Sequence, residues 1–193
     1  MYVAEPRHNL FELLNAAIVG GVNIIQWRDK RISSANATQL LVRVRKHADD
    51  RTLFSVNTSG ATDDNGTRHN LQIPQSDFAR IASAKAENRL IGASVHSLST
   101  AKIAQHSGAD YLVAGSVFPT SSHPNCSPMG TDMLGTICCA VDIPVLAIGG
   151  ITWEKVQECV SAGASGVAVR SAISLSNNPL SVVQQLRHAL DNC

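Results

Sequence analysis

Apolar positions in this chain recur with two periods, and the alternation between them predicts its elements. Short continuous apolar runs read as buried strands at Tyr2–Ala4, Asn23–Arg28, Leu53–Val56, Asn70–Ile73, Leu90–Ser94, Tyr111–Ala114, Val145–Ile148 and Gly166–Val169. The stretches between them carry apolar residues three and four apart. Leu10, Leu13, Leu14, Ala17 and Ile18 form one such face, opened by Asn9 with Glu12 three residues on and closed by Gly20-Gly21. Further faces lie at Leu40, Leu41 and Val44, at Phe78 and Ile81, at Ile103 and Ala104, at Leu134, Ile137 and Cys138, and at Val156, Cys159 and Val160. Eight strand-like runs alternating with helices predict an α/β fold, a (β/α)8 TIM barrel that takes up residues 1–193 as one domain.

An internal echo supports the alternation. Ser107-Gly-Ala-Asp-Tyr-Leu-Val-Ala-Gly-Ser116 resembles Ala162-Gly-Ala-Ser-Gly-Val-Ala-Val-Arg-Ser171, and each reads as a glycine helix cap, a buried strand and a small residue at the strand end. The stretch Thr58–His69 breaks the pattern. It is rich in turn formers and has almost no apolar face, so no regular helix is predicted there.

The last two strand-to-helix junctions carry the first chemical signal. Pro144-Val-Leu-Ala-Ile-Gly149-Gly150-Ile-Thr152 and the later Val169-Arg170-Ser171-Ala-Ile173 each end an apolar run in glycine or a small polar residue before a helix start. Glycine lets the backbone approach an anion, and the N–H groups that open a helix bind it. Gly149, Gly150, Arg170 and Ser171 are therefore the candidate phosphate-binding residues.

Charge and composition narrow the partners. With 16 Lys+Arg against 15 Asp+Glu and a formal net charge of +1, nothing electrostatic points to nucleic acid or a membrane surface, so an anion is bound locally. No charged-then-apolar leader opens the sequence and no apolar run reaches the ~18 residues a span needs, so a cytoplasmic location is expected. Cys126, Cys138, Cys139, Cys159 and Cys193 are odd in number and lack C-x-x-C pairs, which predicts reduced thiols rather than a zinc site or disulfides.

Barrel active sites gather at the C-terminal strand ends, and the polar residues there form the candidate site. They are Gln26, Arg28 and Lys30; Asn57 and Thr58; Gln72, Gln75 and Asp77; Ser94, His96 and Ser97; and Ser116, Thr120, Ser122 and His123. Gln26 and Arg28 share one strand face, which aims the arginine into the mouth. Arg28 and Lys30 together with the glycine junctions make two anion-binding regions on one rim and point to a phosphorylated substrate with a second phosphate or a carboxylate.

Five motifs then recur in order and in register. Gln26-Trp-Arg28-Asp-Lys30, Ser94-Val-His96-Ser97, Gly108-Ala-Asp110-Tyr111, Gly115-Ser-Val-Phe118-Pro-Thr120 and Ile143-Pro-Val-Leu-Ala-Ile-Gly149-Gly150-Ile-Thr152 resemble the thiamine phosphate synthase/TenI superfamily over nearly the whole chain. That resemblance implies a TIM barrel with a site for a small phosphorylated heterocycle, a thiazole phosphate, and a homodimeric assembly.

Two chemistries are known in the superfamily, and this chain departs from both. Synthases join a pyrimidine pyrophosphate to a thiazole phosphate, with an Asn-Asp pair and a further Asp holding magnesium on the leaving group. Here the pair is Asn57-Thr58, and Asp77 is the carboxylate left as a metal ligand if the chain is synthase-like. A threonine hydroxyl brings no charge to a hard cation. The synthase Thr-x-Thr-Lys also becomes Thr120-Ser-Ser122-His123. TenI-type proteins resemble Leu71-Gln72-Ile73-Pro74 and Ser94–Leu98 more closely, and their thiazole tautomerisation needs a proton-transferring group. The histidine they use stands two residues before the phenylalanine of the sixth-strand motif, where this chain has Ser116.

The resemblance therefore implies, as the favoured expectation, a TenI-like thiazole tautomerase that needs no cofactor or metal. Its catalytic residues would be His123 and Ser116, with Gln26, Arg28, Lys30, Asn57, Gln72, Ser94, Thr120 and Ser122 binding substrate. The alternatives are a divergent, magnesium-dependent synthase and a non-catalytic sensor or scaffold that keeps the phosphate site.

Overall fold

The structure, a computed structural model, describes residues 1–28, 52–57, 70–86 and 89–193. Eight parallel strands follow chain order in one sheet: β1 (Tyr2–Ala4), β2 (Ile24–Trp27), β3 (Leu53–Asn57), β4 (Asn70–Ile73), β5 (Ile91–Val95), β6 (Tyr111–Gly115), β7 (Val145–Ile148) and β8 (Gly166–Ala168). The sheet closes where Tyr2 bridges Val169. There the Val3 N–H donates to the Val169 carbonyl at 2.9 Å, and the Val169 N–H to the Met1 carbonyl at 3.0 Å. This is the predicted TIM-type barrel, with every strand within one residue of its expected ends.

The described helices are α1 (Leu10–Val19), α2 (Ile81–Lys85), α3 (Leu98–His106), α4 (Gly130–Cys139), α5 (Val156–Ser161), α6 (Ser171–Ser174) and α7 (Pro179–Asp191). Short 3-10 turns at Gln75–Arg80 and Trp153–Lys155 lead into α2 and α5. The expected face at Leu40, Leu41 and Val44, the stretch 58–69, and the individual residues Lys30 and Thr58 lie outside the described residues. No helix among the described residues is long and apolar enough to cross a membrane.

Three local expectations need correction. Asn9 occupies the N-cap of α1 but its side chain makes no capping bond. Ile103 is 54% exposed, because α3 turns Ala101 and Ala104 to the barrel and a neighbouring position lies about 100° round the helix. The periodicity reading also passed over α7. Its start signal is present, with Asn178 accepting from the Ser181 N–H at 3.1 Å and proline in the first turn, and Val183 packs over Gly20.

Alternation along the strands builds two apolar layers. Tyr2, Ile25, Trp27, Ile73, Ile91, Leu112, Ala147 and Val167 face outward and pack with helical Leu13, Ile81, Leu134, Ile137, Val156 and Ile173. Facing inward, Tyr111, Val113 and Ala168 cluster with Met1, Leu90, Leu146 and Ile148 to fill the barrel. Gln26, Ser55 and Gln72 are buried polar members of the strands. Both glycines of the internal echo, Gly108 and Gly163, take φ near +100° (+100° and +96°) after their helices, the left-handed cap the sequence predicts. Asp110 of the third motif is structural: it accepts from the Ile91 N–H at 2.8 Å and pairs with Lys85.

Candidate functional site

A cavity of about 710 Å³ opens at the C-terminal ends of the strands. Its wall is built in register from alternate positions: Val3 of β1, Gln26 of β2, Asn57 of β3, Ser94 of β5, Val113 and Gly115 of β6, Ile148 of β7 and Ala168 of β8. Residues just beyond the strands complete the rim, among them Arg28, His96, Ser116, Thr120, Ser122, His123, Gly149, Gly150, Arg170 and Ser171.

The junction after β7 is shaped by two glycines. Gly149 and Gly150 take φ of +102° and +66°, a region in which L side chains are strained. Each also lies against the β6–α4 loop: a Cβ on Gly149 would sit 2.6 Å from Ser116 Cβ, and one on Gly150 would sit 2.3 Å from the Pro119 carbonyl oxygen. Lys155 braces this turn by donating to the Gly150 carbonyl at 3.2 Å while lying 4.5 Å from the centre of the Phe118 ring. The β7 and β6 loops are thus packed as one wall.

A second feature was missed by the strand-end reading, which took up cations and hydroxyls but no acid near β1. Glu5 accepts from Arg28 Nη1 at 2.7 Å and from Arg170 Nη1 at 2.8 Å, both on its Oε1. Burial pushes the Glu5 carboxyl up, but the hydrogen bonds and charges of Arg170 and Arg28 outweigh this and hold it below the usual glutamate range. Arg28, read from sequence as an anion-binding cation, is thus paired with a carboxylate of the protein, and Arg170 shares that carboxylate. Arg170 also donates through Nη2 to the Ser122 hydroxyl.

The remaining candidates divide by depth. Gln72 is fully buried and does not line the cavity; its Nε2 donates to Ser94 Oγ at 3.0 Å, so it lies behind Ser94 rather than beside it at the surface. Beyond it Tyr111 fills the interior, its phenol pushed up to about 12 by burial. His96 is placed by the start of α3, where Ser97 and Thr100 form a reciprocal capping box. One ring nitrogen, Nδ1, lies 2.5 Å from the Gly115 carbonyl, which gives His96 a partner across the β5–β6 edge. Thr120 Oγ1 accepts from the Ser122 N–H at 3.3 Å, and the His123 N–H donates to the Thr120 carbonyl at 3.2 Å, leaving the imidazole exposed at the rim.

The expected metal ligand stands apart. Asp77 is in the 3-10 turn after β4, where Pro74 and Ser76 line the cavity and Asp77 does not. Among the described residues no group of three His, Cys, Asp or Glu side chains could hold a metal ion. Among the described residues Asp77 therefore has no group of ligating side chains around it of the kind a hard divalent cation calls for, and the described residues do not fit a magnesium site by themselves. All five cysteines are free; Cys126 is exposed in the β6–α4 loop, while burial pushes the Cys159 thiol up to about 11.

Comparison with known proteins agrees with this architecture. A family model described as thiamine monophosphate synthase matches residues 1–173. The chain is 35% identical to the thiamine-phosphate synthase of Pyrococcus horikoshii over 205 residues, covering 99% of this chain and 94% of the relative. It is 38% identical to that of Salinibacter ruber over 191 residues, covering 93% and 81%. The solved thiamine phosphate pyrophosphorylase from Pyrococcus furiosus superposes with a TM-score of 0.83 at 33% identity, covering 99% of this chain and 95% of that one. These relatives carry the synthase name, and they lend no support to the closer TenI-type placement that the sequence motifs suggest. Barrel, cavity and relatives together place the chain in the thiamine monophosphate synthase family.

Proposed function

We propose that this chain is a divergent thiamine phosphate synthase, joining a pyrimidine pyrophosphate to a thiazole phosphate. The observation that carries this is a single rim bearing both a glycine junction and a pair of arginines, in a chain at least a third identical to named thiamine-phosphate synthases. Gly149, Gly150 and Ser171 would take the thiazole phosphate. Arg28 and Arg170, with Lys30 beyond the described residues, would face the pyrophosphate, whose departure needs positive charge opposite it. Gln26, Asn57, Ser94 and Thr120 would orient the heterocycles, with Gln72 holding Ser94. Magnesium, where the reaction uses it, would need donors beyond Asp77. A homodimer, with no nucleic-acid partner, completes the proposal.

The TenI-like tautomerase remains the second reading because one specific observation favours it: Thr58 stands where synthases carry an aspartate. In that reading His123 and Ser116 line the reacting face, and His123→Gln would cost roughly 10²–10⁴ in tautomerisation rate with ligand affinity intact. Turnover decides between the readings. Purified protein is assayed with pyrimidine pyrophosphate plus thiazole phosphate, with and without magnesium, and separately with thiazole carboxylate phosphate. Thiamine phosphate formation is the expected result; tautomerisation alone would replace it with the second reading, and binding without turnover would make the chain a sensor.

A further inference from the structure

Glu5 holds two arginines that line the cavity, Arg28 and Arg170, without lining it itself. It follows β1, whose two neighbours are β2 and the segment after β8, and its Oε1 gathers an arginine from each side. Arg170 then spends its other terminal nitrogen on the Ser122 hydroxyl, in the middle of the β6–α4 loop. That loop holds its own shape through local bonds, His123 N–H to the Thr120 carbonyl and Cys126 N–H to the His123 carbonyl, each at 3.2 Å. Its far end is tied back by the Met129 N–H on the Ser116 carbonyl at 2.8 Å. The Arg170–Ser122 bond joins the stretch between these points to the barrel rim.

We propose that Glu5 is a positioning residue that latches the β6–α4 loop over the cavity by holding Arg170, and that keeps Arg170 and Arg28 converged at one place on the rim. Two guanidinium groups on one oxygen repel each other, and a carboxylate between them is what lets both stay. Without it the cations separate, Arg170 leaves Ser122, and the loop loses its tie. A purely screening role for Glu5 gives the opposite sign: removing a negative charge beside two arginines would strengthen anion binding. The latch itself is independent of the functional proposal; its effect on ligand binding rests on the cavity taking phosphorylated compounds.

Amide hydrogen exchange on the ligand-free full chain tests the latch. In Glu5→Ala and Ser122→Ala, the amides of His123, Cys126 and Met129 are expected to exchange at least about threefold faster while β5 and β6 keep their protection. Glu5→Asp, which keeps the carboxylate charge, should protect the loop better than Glu5→Ala does. With inorganic pyrophosphate as the probe, Glu5→Ala should bind at least about fivefold more weakly than wild type. Unchanged loop exchange in Glu5→Ala, or tighter pyrophosphate binding, overturns the proposal. If Glu5→Ala loses strand protection as well, Ser122→Ala decides, and unchanged loop exchange there overturns it. Wild-type protein that binds no pyrophosphate counts against the functional reading alone, since the exchange arm uses no ligand.

Discussion

Gly92 on β5 makes room for Tyr111 on β6. A Cβ on Gly92 would lie 2.3 Å from the Tyr111 Cζ, 2.5 Å from its hydroxyl and 2.2 Å from Gln72 Oε1, and the two strands pair Gly92 with Tyr111 in register. The phenol occupies the volume that the missing side chain leaves, beneath the Gln72–Ser94 pair that supports the cavity wall. Gly92→Ala is therefore expected to destabilise the barrel by about 1–3 kcal/mol through overpacking, read as a lower denaturant midpoint with unchanged slope. A midpoint equal to wild type would mean that the interior has slack at this position.

The Gly149–Gly150 turn fails for two reasons at once if a side chain is added. Gly150 combines φ of +66° with the Pro119 carbonyl oxygen 2.3 Å from any Cβ, so even Gly150→Ala must push the β6–α4 loop away. Affinity for thiazole phosphate should fall at least about tenfold, or ~1.4 kcal/mol, in Gly150→Ala and in the bulkier Gly150→Val, with the barrel folded. Calorimetric affinity equal to wild type would move the phosphate site away from this junction.

Acid should dissolve the Glu5 clamp. Because the folded carboxyl is held below the usual glutamate value of about 4.3, its stabilisation is present above that pH and is lost as pH falls through the depressed folded value. Glu5→Gln has no charge to lose. The stability gap between wild type and Glu5→Gln should therefore be constant near neutral pH and shrink below about pH 4, measured by urea unfolding across the range. A gap that widens on acidification would contradict the sign of the shift.

Thr58 tests the synthase reading from the sequence side. An aspartate there would restore the charge that the synthase pattern carries at this position, so Thr58→Asp is expected to raise magnesium-dependent formation of thiamine phosphate several-fold over wild type. No gain in the variant, with wild type inactive as well, would place the divergence in the pyrimidine pocket and favour a binding protein.

Much of the barrel was legible in the chain because buried parallel strands must be apolar and helices must show an apolar stripe; both are local, one-dimensional consequences of burial. That is why β4 and β7 appear with their expected ends, and why Gly108 and Gly163 could be read as helix caps. The glycine junction at Gly149–Gly150 was legible for the same reason, since a left-handed turn after a strand selects its residue type. What sequence could not supply was the pairing of side chains distant along the chain. Glu5 lies 23 residues from Arg28 and 165 from Arg170, and no periodicity links them. Only barrel closure, which sets the segment after β8 beside β1, brings the three together. The depth of Gln72 and the withdrawal of Asp77 from the cavity were decided in the same way: strand tilt and the turn after β4 determine which strand-end polar groups reach the mouth and which stay behind the wall.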